Sequence, residues 1–178
     1  MEWLEGQNSE AVGKLSPAEF DAFVSQSLSA VEALHQAGWL HLDLKPENFI
    51  RRVSGFTLID FGSAKPIAGA KADLKGSVHY MAPECFEGGQ LDVRADLYAL
   101  GCSFHFALSG KTAFEGELTP QVITAHLQHR FEPLSDSVPL LLRQWIEHLM
   151  RRIPSERPRS AAVALATYRD IALIVAAA

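Results

Sequence analysis

Pro46 is the residue that most constrains how this chain can fold. It sits inside Gly38-Trp39-Leu40-His41-Leu42-Asp43-Leu44-Lys45-Pro46-Glu47-Asn48-Phe49, where it breaks any helix and turns the residue before it away from the helical region. The stretch is therefore read as a loop, and it carries an acid (Asp43), an amine (Lys45) and an amide (Asn48). An apolar strand containing Phe56, Leu58 and Ile59 follows and ends at a second acid, Asp60, with Phe61 and Gly62 behind it. Together these supply a proton acceptor, a cation and two oxygen ligands. Phosphoryl transfer needs such parts: a group to orient the attacking hydroxyl, positive charge against the phosphoryl oxygens, and oxygen donors for Mg²⁺.

The loop resembles the catalytic loop of protein kinases. It matches His-Arg-Asp-Leu-Lys-Pro-Glu-Asn at every position except 42, and Asp60-Phe61-Gly62 resembles the metal-binding motif of that family. The resemblance implies an α+β, mostly α-helical fold: the large C-terminal lobe of a kinase with a few short strands, and no small N-terminal lobe within this sequence. It implies that Asp43 orients the substrate hydroxyl and accepts its proton, that Lys45 stabilises the γ-phosphoryl group, and that Asn48 and Asp60 hold Mg²⁺. ATP is the implied cosubstrate, with Ile50 beneath the adenine and the backbone of Leu4 at the hinge. The whole of 1–178 reads as one such lobe, with a hinge remnant at 1–6, the catalytic loop at 41–49, the activation segment at 60–84 and a helical subdomain at 94–178.

Composition agrees with a chain that buries a real core, since 48% of its 178 residues are hydrophobic and the length favours one domain. Sixteen basic against 21 acidic residues leave a net charge of −5 without any Lys/Arg run, so no nucleic-acid partner is expected. Cys85 and Cys102 make neither a metal spacing nor a disulfide framework, and a reducing cytoplasmic location is the simplest expectation. The apolar tail from Ile171 to Ala178 is too short to span a bilayer.

Met1 to Gly6 resembles the hinge between kinase lobes. Neither a Gly-x-Gly-x-x-Gly loop nor a Val-Ala-Ile-Lys-like strand occurs in the sequence, and the chain is expected to be a fragment of a longer kinase. Ser16-Pro17-Ala18-Glu19 is a capping box with proline at the first helical position, opening a helix to about Ala37 with Phe20, Val24, Ser27, Val31 and Leu34 on its stripe. The resemblance makes His41 a core residue packed on Phe61 rather than a base. Leu42 replaces the arginine that in the family faces a phosphorylated activation segment, which leaves Lys65, Lys71 and Lys75 as the substitute partners for a phosphate there and puts phosphorylation control in question.

Gly76 to Glu84 resembles the end of the activation segment, with Ser77 where threonine is usual and Glu84 the counterpart of an acid that pairs with Arg157. Residues 95 to 109 are apolar all round, as in a helix buried on every side. Asp96 in its first turn is read as structural: the helix N-terminus offers free N–H groups, and the family uses this acid to brace the catalytic loop. Ser109-Gly110-Lys111-Thr112 lacks the first glycine of a phosphate loop, whose place His105 takes. Thr119 with Pro120 is expected to cap a helix to about His129, and Ser137 with Pro139 another whose inner face holds Leu141, Leu142, Trp145, Ile146 and Leu149. Ser160 opens the last helix, with Ala161, Leu165, Tyr168 and Ala172 on one stripe. His126 and His129 have no third metal ligand nearby in sequence and are read as exposed polar residues, Trp145 and Tyr168 as core aromatics.

The function these features imply is ATP-dependent phosphoryl transfer to Ser or Thr of protein substrates, since Lys45-Pro46-Glu47-Asn48 is the serine/threonine wording of the loop. A pseudokinase-like interaction module and a small-molecule phosphotransferase are the alternatives. The first has no need to keep Asp43, Lys45, Asn48 and Asp60 together. The second would not be expected to carry Lys45 two residues after Asp43, nor Ala82-Pro83-Glu84.

Overall fold

The Ser16 capping box forms as its sequence dictates: Ser16 Oγ accepts the Glu19 N–H at 3.4 Å and the Glu19 carboxylate accepts the Ser16 N–H at 2.9 Å. Helix α1 then runs Pro17–Gln36, and Gly38 leaves it at φ +84. The computed structural model describes residues 7–8, 13–71 and 76–177. Five short strands carry the site: β1 (Gln7–Asn8), β2 (Trp39–Leu40), β3 (Phe49–Arg52), β4 (Gly55–Leu58) and β5 (Lys65–Pro66). They form two antiparallel sheets, β1-β3-β4 with Phe49 opposite Leu58, and β2-β5 with Leu40 opposite Lys65. The Asp43 loop runs from β2 to β3 and the Asp60 loop from β4 to β5. Because β3 pairs with β4 and β2 with β5, each end of one loop is pinned to an end of the other.

The rest is helical: α2 (Pro83–Phe86), α3 (Val93–Ser109), α4 (Thr119–Leu127), α5 (Leu140–Leu149) and α6 (Ala161–Ala176). Helix α3 is the centre, buried on every side as its lack of a polar face requires. It passes α5 so closely that a Cβ at Gly101 would stand 2.8 Å from Leu149 Cβ. A run of ring contacts ties β3 and the helices together: Phe49 to Phe23 at 5.0 Å, Phe23 to Phe104 at 5.6 Å, Phe104 stacked on Trp145 at 5.5 Å, and Trp145 to Tyr168 at 5.1 Å. Trp145 and Tyr168 are thus core aromatics, 3% and 5% exposed. Among the described residues no helix is long and apolar enough to cross a membrane.

Several local readings are corrected. Pro46 excludes an α-helix but opens a single 3-10 turn, Pro46–Asn48, because proline at a first helical position loses no hydrogen bond. Thr119 is the first residue of α4 rather than its cap; Leu118 holds the cap position, and its N–H is accepted by the Gln121 side chain at 2.9 Å. The helix stops at Leu127 because His129 turns to φ +52. Ser137 does not cap α5, since its hydroxyl bonds to Ser135 Oγ at 3.0 Å and Pro139 stands next to the helix. Leu141 is exposed, and the inner face of α5 is Trp145, Ile146 and Leu149, with Leu142 half-buried against the core. On α1, Leu34 is only half-buried, and His35 takes the inner position instead.

His126 is not exposed either. It is 0% accessible, stacked on Phe114 at 3.9 Å with Nδ1 2.7 Å from the Tyr98 hydroxyl, and His129 is half-buried against Phe131. Burial pulls His126 down to about 3 and lowers His41, His105 and His129 as well. In the unfolded chain these rings protonate near pH 6.5, so below that pH the unfolded state binds more protons and stability falls. For His126 alone the loss between pH 7.5 and 5.5 is about 1 kcal/mol. The melting temperature is expected to drop over that interval, and to drop less in His126→Gln. Equal drops in the two proteins would remove His126 from the acid response.

Candidate active site

The catalytic-loop backbone is set by one buried carboxylate. Asp96, 1% exposed on the first turn of α3, accepts the His41 N–H at 2.8 Å through Oδ2 and the Leu42 N–H at 2.9 Å through Oδ1. Leu42 itself lies in the left-handed region at φ +63, a conformation that costs a non-glycine residue roughly 1 kcal/mol. The N-terminal N–H groups of α3 do not serve Asp96, contrary to expectation. Asp92 caps that end, its Oδ1 accepting the Arg94 N–H at 2.8 Å, and Asp96 is left to hold the loop. His35 Nε2 is the third group on the carboxylate, 2.8 Å from Oδ2. The sequence reading missed His35, although it stands at core-stripe spacing after Leu28 and Val31, where a polar side chain needs a partner.

Asp43 is the hub of the polar cluster that follows. Its Oδ1 accepts the Ser77 N–H at 3.3 Å, and its Oδ2 accepts from Asn48 Nδ2 and faces Lys45 Nζ, both at 3.2 Å. Lys45 Nζ also donates to Ser77 Oγ at 2.8 Å, tying the loop to the activation segment. A Cβ on Gly76, at φ +140, would come within 3.3 Å of Asp43 Oδ1, so the segment can approach the acid this closely only with glycine there. Asn48 Nδ2 donates to the Asp43 carbonyl at 2.8 Å as well. With its NH₂ spent on Asp43, the amide of Asn48 keeps its oxygen as the atom to offer a ligand.

Asp60, exposed and at φ +61, ends the strand below. Its Oδ1 accepts the Gly62 N–H at 3.1 Å, while the Ile59 N–H donates to the Asn48 carbonyl at 2.9 Å and so holds the two loops side by side. His41 is fully buried, with its ring 5.2 Å from that of Phe61. Its Nδ1 accepts the Asp43 N–H at 3.4 Å and its Nε2 lies 3.3 Å from the Ile59 carbonyl. That pattern suits a neutral ring protonated on Nε2, and burial lowers its pKa in the same sense. Ile50 is half-buried on β3, opposite Thr57. Leu4, the rest of the hinge remnant and Lys75 lie outside the described residues.

The donor set fits a hard divalent cation that keeps water and phosphate oxygens as its remaining ligands: one amide oxygen, one carboxylate and no soft ligand. No cluster of three His, Cys, Asp or Glu side chains that could enclose a metal on its own occurs among the described residues.

Below the site, Arg157 donates to both Glu84 oxygens at 2.7 and 2.8 Å, as the register of the two motifs implies. Its guanidinium also donates to the carbonyls of Arg94, Arg151 and Arg152 and lies 4.7 Å from the Tyr98 ring centroid. Every end of the fork is occupied, which anchors the far end of the activation segment to the helical core. Leu42 brings no cation to that segment, and Lys65 Nζ is spent on the Lys71 carbonyl at 3.3 Å.

A family model described as the protein kinase domain matches residues 1–168. The chain is similar to the serine/threonine-protein kinase PknD of Mycobacterium tuberculosis, 35% identical over 90% of this chain and 26% of that protein. It is also similar to PknE of the same species, at 33% over 82% and 27%, and to the probable serine/threonine-protein kinase PknB of Corynebacterium glutamicum, at 32% over 78% and 23%. The chain spans about a quarter of the length of these relatives. The loop with Asp43, the Asp60 motif, the anchored activation segment and these matches agree, and the chain belongs to the protein kinase family.

Proposed function

We propose that this chain is the large-lobe part of a serine/threonine protein kinase that transfers the γ-phosphoryl group of ATP to a Ser or Thr hydroxyl of a protein substrate, with Mg²⁺. The observation that carries the reading is the Asp43, Lys45 and Asn48 cluster, held by paired strands beside Asp60. The relatives' names, all serine/threonine-protein kinases, support it.

In this reading Asp43 orients the substrate hydroxyl and takes its proton as the oxygen attacks the γ-phosphorus. The bond to the bridging oxygen breaks and ADP leaves. Lys45, already balanced between Asp43 and Ser77, presents its ammonium to the γ-phosphoryl oxygens. The Asn48 amide oxygen and the Asp60 carboxylate would hold Mg²⁺, which draws off charge on the phosphates. Ile50 would lie under the adenine and the Leu4 backbone would bond it. Positioning and electrostatics carry most of the barrier reduction in phosphoryl transfer, and a cluster fixed through Asp96 from below is suited to both.

Because no glycine-rich loop or strand lysine occurs in these residues, the test uses the chain joined to the small lobe of a relative. That protein is expected to phosphorylate Ser/Thr peptides from ATP and Mg²⁺. Asp60→Asn is expected to weaken Mg²⁺-dependent ATP binding at least tenfold, since an amide cannot supply a carboxylate's charge to a hard cation. Unchanged Mg²⁺-ATP affinity together with unchanged turnover would remove Asp60 from the metal site.

A further inference from the structure

The activation segment, 60–84, carries hydroxyls only on Ser63, Ser77 and Tyr80, and none between Ser63 and Ser77. Each is badly placed to hold an activating phosphate. Ser77 Oγ takes the Lys45 ammonium beside Asp43, so a phosphate there would draw Lys45 away and set two anions against each other. Tyr80 is 6% exposed and would have to leave the core. Ser63 is half-buried and follows Asp60-Phe61-Gly62 directly, where a phosphate adds negative charge beside a proposed metal ligand. A phosphate orders a segment by pairing with a cation, and position 42, where the family's arginine would stand, is leucine.

Residues 65–71 are nevertheless tied down on two sides, by neutral groups. On one side β5 pairs with β2, and the Ile67 N–H donates to the Gly38 carbonyl at 2.9 Å, next to the start of the catalytic loop. On the other the Leu91 N–H donates to the Ala70 carbonyl at 3.0 Å, and Lys71 faces Gln90 in an antiparallel bridge. Ala70 and Leu91 are 3% and 2% exposed and belong to the core. Gln90 and Leu91 in turn lead through the Asp92 cap into α3, which carries Asp96. We infer that this backbone clamp, Ala70 and Lys71 against Gln90 and Leu91, replaces a phosphate–arginine pair in ordering the activation segment, so that the site assembles without phosphorylation; the inference rests on the phosphoryl-transfer reading above. Amides and apolar side chains make the clamp, so no modifying enzyme is needed to close it. Control of the kinase then falls to residues outside 60–84.

The test compares phosphate-free and phosphorylated protein. The form joined to a small lobe is made together with a Ser/Thr phosphatase until its mass shows no phosphate, and a portion is then incubated with Mg²⁺-ATP. The kcat of the two portions is expected to agree within about threefold, and Ser63→Ala to match them. A larger gain that follows phosphate on any residue of 60–84 overturns the inference. Two variants probe the clamp itself. Ala70→Asp buries an unpaired carboxylate and should lift 67–71 from the core, and Leu91→Pro deletes the donated N–H. Both are expected to speed hydrogen exchange at the Ile67 amide of the 178-residue chain. In the joined form both should lower kcat about 10- to 100-fold while the KM for ATP stays within about twofold, because a misplaced segment costs the chemical step. Lys71→Ala keeps the backbone and should change neither. Wild-type exchange and turnover in both clamp variants, or a loss in Lys71→Ala equal to theirs, overturns the inference. Should both clamp variants fail to fold, the phosphate comparison decides. A wild-type protein that transfers no phosphate, while Ile67 still responds to Ala70→Asp, would refute the kinase reading and leave the clamp standing.

Discussion

Asp43→Asn, in the chain joined to a small lobe, is expected to lower kcat by about 10²–10⁴, the contribution of a positioned general base. The amide keeps the size of the carboxylate but not its charge. It also cannot satisfy every neighbour, because Oδ1 accepts from the Ser77 N–H while Oδ2 faces both Asn48 Nδ2 and Lys45 Nζ. Whichever way the amide turns, one of its N–H donors meets another donor. That mismatch should cost about 1 kcal/mol and lower the melting temperature by about 2–4 °C, too little to explain lost turnover. Measuring kcat, ATP affinity and melting on the same pair of proteins separates chemistry from folding. A kcat within a few-fold of wild type would reject Asp43 as the proton acceptor.

Arg157→Met should give the largest loss of stability, about 3–5 kcal/mol, because it strands the buried Glu84 carboxylate without its partner. The side chains are 0% and 11% exposed, so water cannot replace the guanidinium. Glu84→Gln should cost less, since Arg157 retains the carbonyls of Arg94, Arg151 and Arg152. For the same reason the double variant should not return to wild type: the carbonyls lose their donor whether or not Glu84 is charged. Denaturant titrations of the two singles and the double give the coupling directly. An Arg157→Met protein within about 1 kcal/mol of wild type would show that the pair is not the anchor its geometry suggests.

What was legible in the sequence depended on how local the cause was. The Ser16 capping box and Gly38 act through their own backbone angles or through neighbours within a turn, and the helix they bound appears where the sequence places it. The protein kinase motifs, each a short run read in order, likewise set the register in which Glu84 meets Arg157. Caps chosen by residue type alone failed at Thr119 and Ser137: Leu118, whose N–H goes to the Gln121 side chain, holds the cap position of α4, and the Ser137 hydroxyl donates to Ser135 Oγ.

Only the tertiary structure decided which polar side chains the core would accept. His126 and His35 look like any polar residues on a helix. One is buried because Phe114 and Tyr98 converge on it, the other because Asp96 arrives from a helix 61 residues away in sequence. Nor do the loop's own residues show that the His41 and Leu42 N–H groups both end on that same carboxylate. Local sequence determined what the site is made of. Packing between α1, α3 and the two small sheets decided how it is held, because a buried charge takes its partners from whatever the fold brings within hydrogen-bond reach.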